Sequence, residues 1–278
     1  MLKHMTLNAI IKYIEDNLEK KPVSTECLVR YSGFSRRYLQ LLFKEHLDIP
    51  IGKYIQRRRV SRAAVLLKFT NLSLSHIAET LFYDSQQTFS REFKKNTGHT
   101  PLQYRKNKIW TFGNLTGKKG VILGGQPPEI RLIKRQKISG KLEKYTESIP
   151  YTGINSESRW RHIEARMTEN TGPLYLSNKV LPGNKRNAEI EINTIYWSQN
   201  EVRNEHEEIS LPESHYACFR FSGDRNNYTH YINDVYMNIL PYYKMQKTGD
   251  YDIEIISRND DSSFVFEYCI PVKIIDSM

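Results

Sequence analysis

The chain has 278 residues, enough for two domains that each bury a core, and a net charge of +10 at pH 7. Its three cysteines, Cys27, Cys218 and Cys269, lie far apart without a CxxC spacing, so the sequence indicates neither a disulfide framework nor a zinc site. No segment has the apolar core of a signal peptide or the apolar length of a membrane span. We therefore expect a cytoplasmic protein without membrane contact.

The positive charge is confined to one part of the chain. Residues 1–110 hold 20 of the 41 Lys and Arg residues but only 9 of the 31 Asp and Glu residues, a balance of +11, which leaves −1 for the remainder. Because neutralised phosphates supply most sequence-independent affinity for DNA, this distribution predicts that the first part contacts DNA. The alternative is a solvated basic surface.

The first part is predicted to be helical throughout. Apolar residues at three- and four-residue steps indicate a helix over residues 6–20, which ends before Pro22. Ser24 can cap a short second helix, Gly33 supplies a turn, and Ser35 can cap the helix that follows. On that helix Leu39, Leu42 and Phe43 share the core face.

A longer helix is predicted over residues 50–69 as a rigid strut, with its arginines Arg57, Arg58, Arg59 and Arg62 exposed. A second unit then begins at Ser73, turns at Tyr83 and Asp84, and restarts with Ser85 as its cap. Thr100 and Pro101 begin a short closing helix that runs to Arg105.

The segments 23–44 and 72–94 repeat each other. The offset is 49 residues through Leu28/Ile77 and Phe34/Tyr83, and 50 from Leu39/Phe89 onward, so the second turn has one extra residue. Two helix-turn-helix units in one chain can place two helices in successive segments of the major groove, as a dimer of single units does.

The outward residues of these helices suit the reading of base edges. Arginine can bind guanine O6 and N7, glutamine can bind adenine N6 and N7, and Leu41 can cover a thymine methyl. The alternative is that such residues only keep an exposed helix face soluble.

The second unit resembles the AraC/XylS family of bacterial transcription regulators. The resemblance is carried by IAETLFYDSQQTFSREFKKNTGHTPLQYR, residues 77–105, and it covers nearly all of residues 6–105. The stretches YLQLLFK and DSQQTF look closest to the MarA, SoxS and Rob group, whose members bind asymmetric promoter sites as monomers. The family often has Gly where this chain has Phe82, which implies a different local backbone or a displaced second unit.

The resemblance also implies roles for individual residues. The base-reading candidates are Arg37, Gln40 and Leu41 on the first helix and Gln86, Gln87, Ser90 and Arg91 on the second. The phosphate-contacting candidates are Arg36, Lys44, Arg57, Arg58, Lys94 and Lys95. Several relatives have Arg in place of Leu41, so we expect altered or relaxed specificity at that base.

After a glycine-rich linker over residues 110–126, the periodicity changes from helical to alternating. Strands are predicted over 130–138, 174–181, 189–197, 215–222, 251–256 and 264–272, with helices over 158–169 and 227–243. The order is β-α-β-β twice. We therefore expect an all-α DNA-binding domain over 1–109 and an α+β domain of two halves over 127–278.

The second domain resembles the GyrI-like effector-binding domain that follows the DNA-binding part of Rob-type regulators. The resemblance depends on topology, the terminal strand SFVFEYCIPVK and the segment Tyr251-Asp252-Ile253-Glu254. It implies a cleft for bulky amphipathic or cationic compounds, with Glu254 as the acidic residue and Trp160, Tyr196, Trp197, Tyr236 and Tyr268 as candidate walls. Alternatively, the aromatic residues are ordinary sheet core and Glu254 is exposed.

The leading hypothesis is a sequence-specific transcription activator that binds double-stranded promoter DNA as a monomer, recruits RNA polymerase and works in the cytoplasm at the bacterial nucleoid. No cofactor, metal or catalytic residue is expected. One rival makes the second domain a hydrolase, but His215 and Cys218 are three apart on a strand and so point to opposite faces. Another makes it a protein-interaction module without a ligand.

Overall fold

A computed structural model describes residues 2–112, 115–117, 127–149, 154–169, 172–184, 188–197, 207–249, 251–259 and 263–273. The first part contains the helices α1 (Leu2–Asn17), α2 (Thr25–Ser32), α3 (Arg36–Leu47), α4 (Ile51–Phe69), α5 (Leu74–Thr80), α6 (Gln86–Thr97) and α7 (Pro101–Lys106). Helix α1 begins and ends earlier than predicted. Among the described helices, none combines the length and apolarity that crossing a membrane requires.

The second part is built mainly from strands. They are β1 (Trp110–Thr111), β2 (Glu129–Ile133), β3 (Gln136–Ser148), β4 (Leu174–Pro182), β5 (Glu189–Trp197), β6 (Glu207–Leu211), β7 (Ser214–Gly223), β8 (Gln246–Lys247), β9 (Asp252–Arg258) and β10 (Phe264–Lys273). Helix α8 (Glu157–Glu169) precedes β4, and α9 (Arg225–Asp234) continues through a π-helical turn (Val235–Ile239) into α10 (Leu240–Tyr242).

Serine caps fix the starts of the helices in the first part, as predicted. The hydroxyls of Ser24, Ser35, Ser73 and Ser85 each accept a hydrogen bond from the backbone N–H three residues on. The caps of α2 and α5 are 49 residues apart, and those of α3 and α6 are 50 apart. The extra residue therefore lies in the turn between α5 and α6.

Both turns use a left-handed residue. Gly33 has φ 71° after α2, and Phe82, at the equivalent position, has φ 55° after α5. The N–H groups of Phe82 and Tyr83 donate to the carbonyls of Glu79 and Ala78, which closes the end of α5. The expectation of a different local backbone at Phe82 is therefore wrong, because Phe82 adopts the same left-handed conformation as Gly33 although it is not a glycine.

The described strands form one antiparallel sheet. Its main path is β2-β7-β10-β9-β4-β5-β3-β6, and the short strands β1 and β8 extend it at the end of β10. The single strand predicted over 130–138 is wrong, because it is divided into β2 and β3, and β3 continues to Ser148.

The two parts share a core. Leu39, Leu42 and Phe43 pack with α1 in a cluster that belongs to the first part alone. A larger cluster joins Phe89 and Phe93 of α6 with apolar residues of α4, the sheet and the π-helical turn. Trp110 and Phe112 are buried within it, so the predicted linker begins inside the packed structure. The rest of that linker, residues 113–114 and 118–126, lies outside the described residues.

Cys218 and Cys269 form a disulfide, which corrects the expectation drawn from their separation in sequence. They are direct cross-strand partners on β7 and β10, with their Cα atoms 4.0 Å apart and a sequence separation of 51 residues. Spacing along the chain could not show this, because the pairing of the two strands brings the thiols together.

Candidate DNA-binding surface and effector cavity

Helix α3 places its base-reading candidates on one exposed face. Arg37, Gln40 and Leu41 are exposed, whereas Leu39 and Leu42 are buried. Leu41 is 57% exposed, which is high for a large apolar side chain and leaves it available for an apolar contact. Among the described residues, no ion pair engages Arg37.

Helix α6 presents the corresponding face of the second unit. Gln86, Gln87 and Arg91 are exposed, and Ser90 is half-buried. Phe89 and Phe93, on the other side of the helix, are fully buried. The alternation of exposed and buried residues follows the helical period, so the sequence correctly predicts that Gln86, Gln87 and Arg91 face outward, whereas Ser90 is more enclosed than predicted.

Five of the six phosphate candidates divide into three groups. Lys94 and Lys95 are exposed near the end of α6. Arg36 pairs with Glu26, and Lys44 pairs with Asp48 at 2.6 Å, both at the surface. Because exposed pairs contribute about 0–1 kcal/mol, a phosphate can replace the carboxylate at little cost. Arg57 is half-buried.

Arg58 does not contact solvent, so its predicted phosphate role is wrong. It is 1% exposed, and its guanidinium donates to both carboxylate oxygens of Glu15 at 2.9 and 2.8 Å. It also donates to the carbonyls of Thr116 and Met237. Met237 belongs to the π-helical turn of the second part, so Arg58 links α1, α4 and the second part.

Arg62 and Arg59 are likewise not exposed. Arg62 is 1% exposed, pairs with Glu19 at 2.5 Å, and donates to the carbonyl of Ile149 at 2.7 Å. Arg59 is half-buried and donates to the carbonyl of Val23. In an amphipathic helix, a charged residue is normally predicted to face solvent. Helix α4, however, has neighbours on several sides, and carboxylates and backbone carbonyls of those neighbours accept hydrogen bonds from its arginines.

A cavity of about 120 Å³ lies where the two parts meet. Val65 and Phe69 of α4 form one wall, while the others come from α8, the sheet, and α9 with the π-helical turn that follows it. The lining residues are mostly apolar or aromatic: Val65, Phe69, Ile149, Ile154, Trp160, Val180, Ile192, Tyr228, Ile232, Tyr236 and Tyr268, with Ser156, Arg159, Asn178, Thr229, Asn233 and Glu254 as the polar members.

Four of the six predicted ligand-binding residues line this cavity: Trp160, Tyr236, Tyr268 and Glu254. Two do not. Tyr196 packs beside Trp160, but its hydroxyl lies 3.0 Å from that of Tyr145, and the Arg166 guanidinium covers its ring. Trp197 packs with the cluster on the other face of the sheet, because successive strand residues point in opposite directions.

Glu254 is 2% exposed and not free to receive a cation. Arg159 donates to its carboxylate, and Asn178 donates to the same oxygen at 2.8 Å. Thr194 in turn donates to Asn178 Oδ1 at 2.8 Å. The alternative of an exposed glutamate is therefore excluded, but its charge is already compensated.

A second buried acid lies close by and is also compensated. Asp252 Oδ1 accepts from Lys247 Nζ at 2.6 Å. Its other oxygen accepts from the hydroxyls of Tyr236 and Tyr268 at 2.8 and 2.7 Å. Burial raises the pKa of both tyrosines well above its usual value, so each hydroxyl stays protonated and donates.

Sequence reasoning did not find the cavity residues of α4 or Arg159. A signal for the former does exist: Arg58, Arg62, Val65 and Phe69 recur at four- and three-residue steps and so share one face of α4. That face turns toward the second part. Arg159 precedes the predicted wall residue Trp160, yet an arginine beside an aromatic residue is too common to be informative.

Comparison with known proteins places these features in a family. The description "Helix-turn-helix domain" matches residues 28–107, and "GyrI-like small molecule binding domain" matches residues 156–273. The F1 operon positive regulatory protein of Yersinia pestis is 41% identical over 98% of this chain and 89% of its own length. Transcriptional regulator Rob of Salmonella typhimurium is 26% identical over 95% of this chain and 96% of its own length.

The multiple antibiotic resistance protein MarA of Escherichia coli is 38% identical over 38% of this chain and 82% of its own length. These relatives are transcription regulators and not enzymes. The chain belongs to the AraC family of DNA-binding transcription regulators and carries a GyrI-like domain after its helix-turn-helix domain.

Proposed function

We propose that the chain activates transcription as a monomer that inserts α3 and α6 into successive major-groove segments of a promoter. The support is the pair of capped turns at matching offsets, which favours the interpretation of α2–α3 and α5–α6 as two helix-turn-helix units. The exposed sets on α3 and α6 supply base contacts, and the exposed lysines of α6 supply phosphate contacts. Arg58 is not part of this proposal.

Activation is proposed from the relatives. The Yersinia pestis relative is named a positive regulatory protein, and the AarP relative from Providencia stuartii is named a transcriptional activator. An activator of this kind occupies its promoter and presents a surface to RNA polymerase, so no covalent chemistry is required.

The second domain is proposed to sense an amphipathic small molecule, with functional boundaries at 1–109 and 127–278. The elements β3-α8-β4-β5 and β7-α9-β9-β10 have mirrored strand orders about the β9–β4 pair, which supports two halves.

The observation that carries the regulatory proposal is the shared cavity, because a ligand there touches Val65 and Phe69 of α4. Helix α4 joins the two DNA-binding units, so a ligand that prefers one position of α4 changes DNA affinity.

Selection of bound sequences from random duplexes, followed by footprinting, tests the DNA-binding proposal. We expect one asymmetric site protected over two adjacent major-groove segments at one protein per duplex. Arg37→Ala should alter one half of the selected motif and Arg91→Ala the other, while the exposed α5 control Ser75→Ala should alter neither. A palindromic site bound by two copies would contradict the monomer proposal.

A further inference from the structure

We propose that the cavity between α4 and the sheet binds an uncharged, ring-sized molecule that carries a hydrogen-bond acceptor, such as an aryl ketone, aldehyde or amide. This inference rests on the proposed sensing function and names the chemical class of its ligand. Three properties of the lining lead to it: balanced charge, unused donors, and size.

The charged groups at the cavity are already paired with each other. The Arg159 guanidinium engages the Glu254 carboxylate, and Lys247 engages Asp252 next to the Tyr236 wall. A cationic ligand would have to displace Arg159 from Glu254, and an anionic ligand would place a second negative charge beside that carboxylate. Either ion loses its hydration in a site whose described residues offer no free counter-charge, so a neutral molecule is favoured.

Two buried donors of the cavity lining remain unused within the part of the chain that the structure describes. Neither Arg159 Nε nor the Tyr228 hydroxyl has a partner there at good hydrogen-bond geometry, although the hydroxyl interacts with the nearby Glu254 carboxylate, and Tyr228 is only 3% exposed. Burial, together with the nearby Glu254 charge, raises the pKa of Tyr228, so the hydroxyl keeps its proton. Buried polar groups are nearly always hydrogen-bonded, because an unpaired one costs free energy. A ligand oxygen that accepts from Tyr228 or from Arg159 would supply the missing partner.

The size and walls of the cavity specify the rest of the ligand. Its volume is about 120 Å³, and an apolar protein cavity of roughly 150 Å³ accommodates benzene. Trp160, Phe69 and Tyr236 offer aromatic surfaces, and Ile192 and Ile232 offer aliphatic ones. One ring with a short polar substituent is therefore of the size that fills this volume.

Calorimetry of the full chain with four matched probes at millimolar concentration tests the proposal. Acetophenone carries a neutral acceptor, benzoate an anion, benzylammonium a cation, and ethylbenzene no polar group. We expect acetophenone to bind at least about fivefold more tightly than any of the other three, which is the size of one net hydrogen bond. Tyr228→Phe should remove most of that preference and leave ethylbenzene binding unchanged, whereas the control Tyr231→Phe, on α9 but outside the cavity lining, should preserve it.

Equal or tighter binding of benzoate or benzylammonium, no binding of acetophenone, or an undiminished preference in Tyr228→Phe would each overturn the inference. DNA affinity of the same preparation, measured with and without each probe, separates this failure from failure of the proposed function. If a charged probe binds and changes DNA affinity, sensing stands and only the ligand class is wrong. If bound acetophenone leaves DNA affinity unchanged, the class stands and the regulatory proposal fails.

Discussion

Leu41 and Arg91 occupy equivalent positions on the two proposed recognition helices, 50 residues apart, and their side chains differ in which base edges they can contact. A two-pronged arginine contact to guanine contributes about 1–3 kcal/mol of discrimination, whereas a leucine can only cover a thymine methyl. We expect Arg91→Ala to weaken binding to the selected site by about 5- to 150-fold and to relax one base. Leu41→Ala should weaken binding to the same site by a smaller factor.

Fluorescence anisotropy with each base substituted in turn, repeated at several salt concentrations, measures both effects. Lys95→Ala serves as the comparison, because loss of a phosphate contact weakens all sequences alike and reduces the salt slope by about one. Strong guanine selection at the base under Leu41, lost in Leu41→Ala, would contradict this assignment.

Phe82 has φ 55° in a region that side chains with a Cβ disfavour. Replacement by Gly or by Ala removes the same aromatic ring, so the difference between the two variants isolates the backbone effect. We expect Phe82→Gly to be more stable than Phe82→Ala by about 1 kcal/mol. Urea unfolding of both variants measures this, and an Ala variant as stable as the Gly variant would show that position 82 is not left-handed in solution.

Lys68 gives the protein a specific pH dependence. Burial lowers its pKa to about 8, and its ammonium donates to the carbonyl of Asn107. Because the unfolded lysine titrates near 10.4, the unfolded state binds more protons between about pH 8 and 10.4, so this group makes stability rise with pH there. We expect the free energy of unfolding of the wild type, minus that of Lys68→Met, to increase with pH over that interval. The same difference should not change from pH 6 to 7. Thermal unfolding of both proteins across pH 6–10 checks the difference.

At the level of elements, α4 shows where sequence reasoning succeeds and where it stops. Caps and outward faces on α3 and α6 follow from local rules, because a serine oxygen and the helical period act within one turn of chain. The environment of Arg58 and Arg62 does not follow, since their partners Glu15, Thr116 and Ile149 are 43 to 87 residues away. The Cys218–Cys269 disulfide and the Arg159–Glu254 ion pair could not be predicted for the same reason, because the partners are far apart in sequence.

The Glu15–Arg58 pair makes α4 dependent on α1. Removal of one buried partner leaves an uncompensated charge and costs about 3–5 kcal/mol, whereas apolar replacement of both avoids that penalty. We therefore expect Glu15→Leu to destabilise the chain more than the double variant Glu15→Leu/Arg58→Met, measured by urea unfolding. The exposed α1 pair Lys12–Asp16 is the control, and Asp16→Leu should change stability by less than about 1 kcal/mol. Additive effects of Glu15 and Arg58 would show that the pair is not formed.

On the scale of the whole molecule, the shared core makes the DNA-binding part dependent on the sheet. Val65 is 3% exposed in the full chain, and Phe69 packs against Tyr236 at 5.3 Å between ring centroids. A fragment of residues 1–112 exposes both side chains and deprives Arg58 and Arg62 of their carbonyl partners in the second part. Exposed apolar patches promote association, so we expect the isolated fragment to aggregate.

Polar replacement on this face should then have opposite effects in the two contexts. Val65→Lys/Phe69→Glu leaves the net charge unchanged, removes the apolar patch from the fragment, and places two ions in the cavity wall of the full chain. We expect the double variant to raise the solubility of the fragment and to destabilise the full chain by more than about 2 kcal/mol, because the cost of burying two ions exceeds what their mutual attraction at i and i+4 returns. The control Ser75→Lys/His76→Glu, at exposed α5 positions, should do neither. Light scattering of the fragments measures solubility, and urea unfolding of the full chains measures stability. A double variant that improves both properties, or that worsens both, would argue against a shared core. The reason is that this face of α4 packs against the sheet in the full chain and is exposed to water in the fragment.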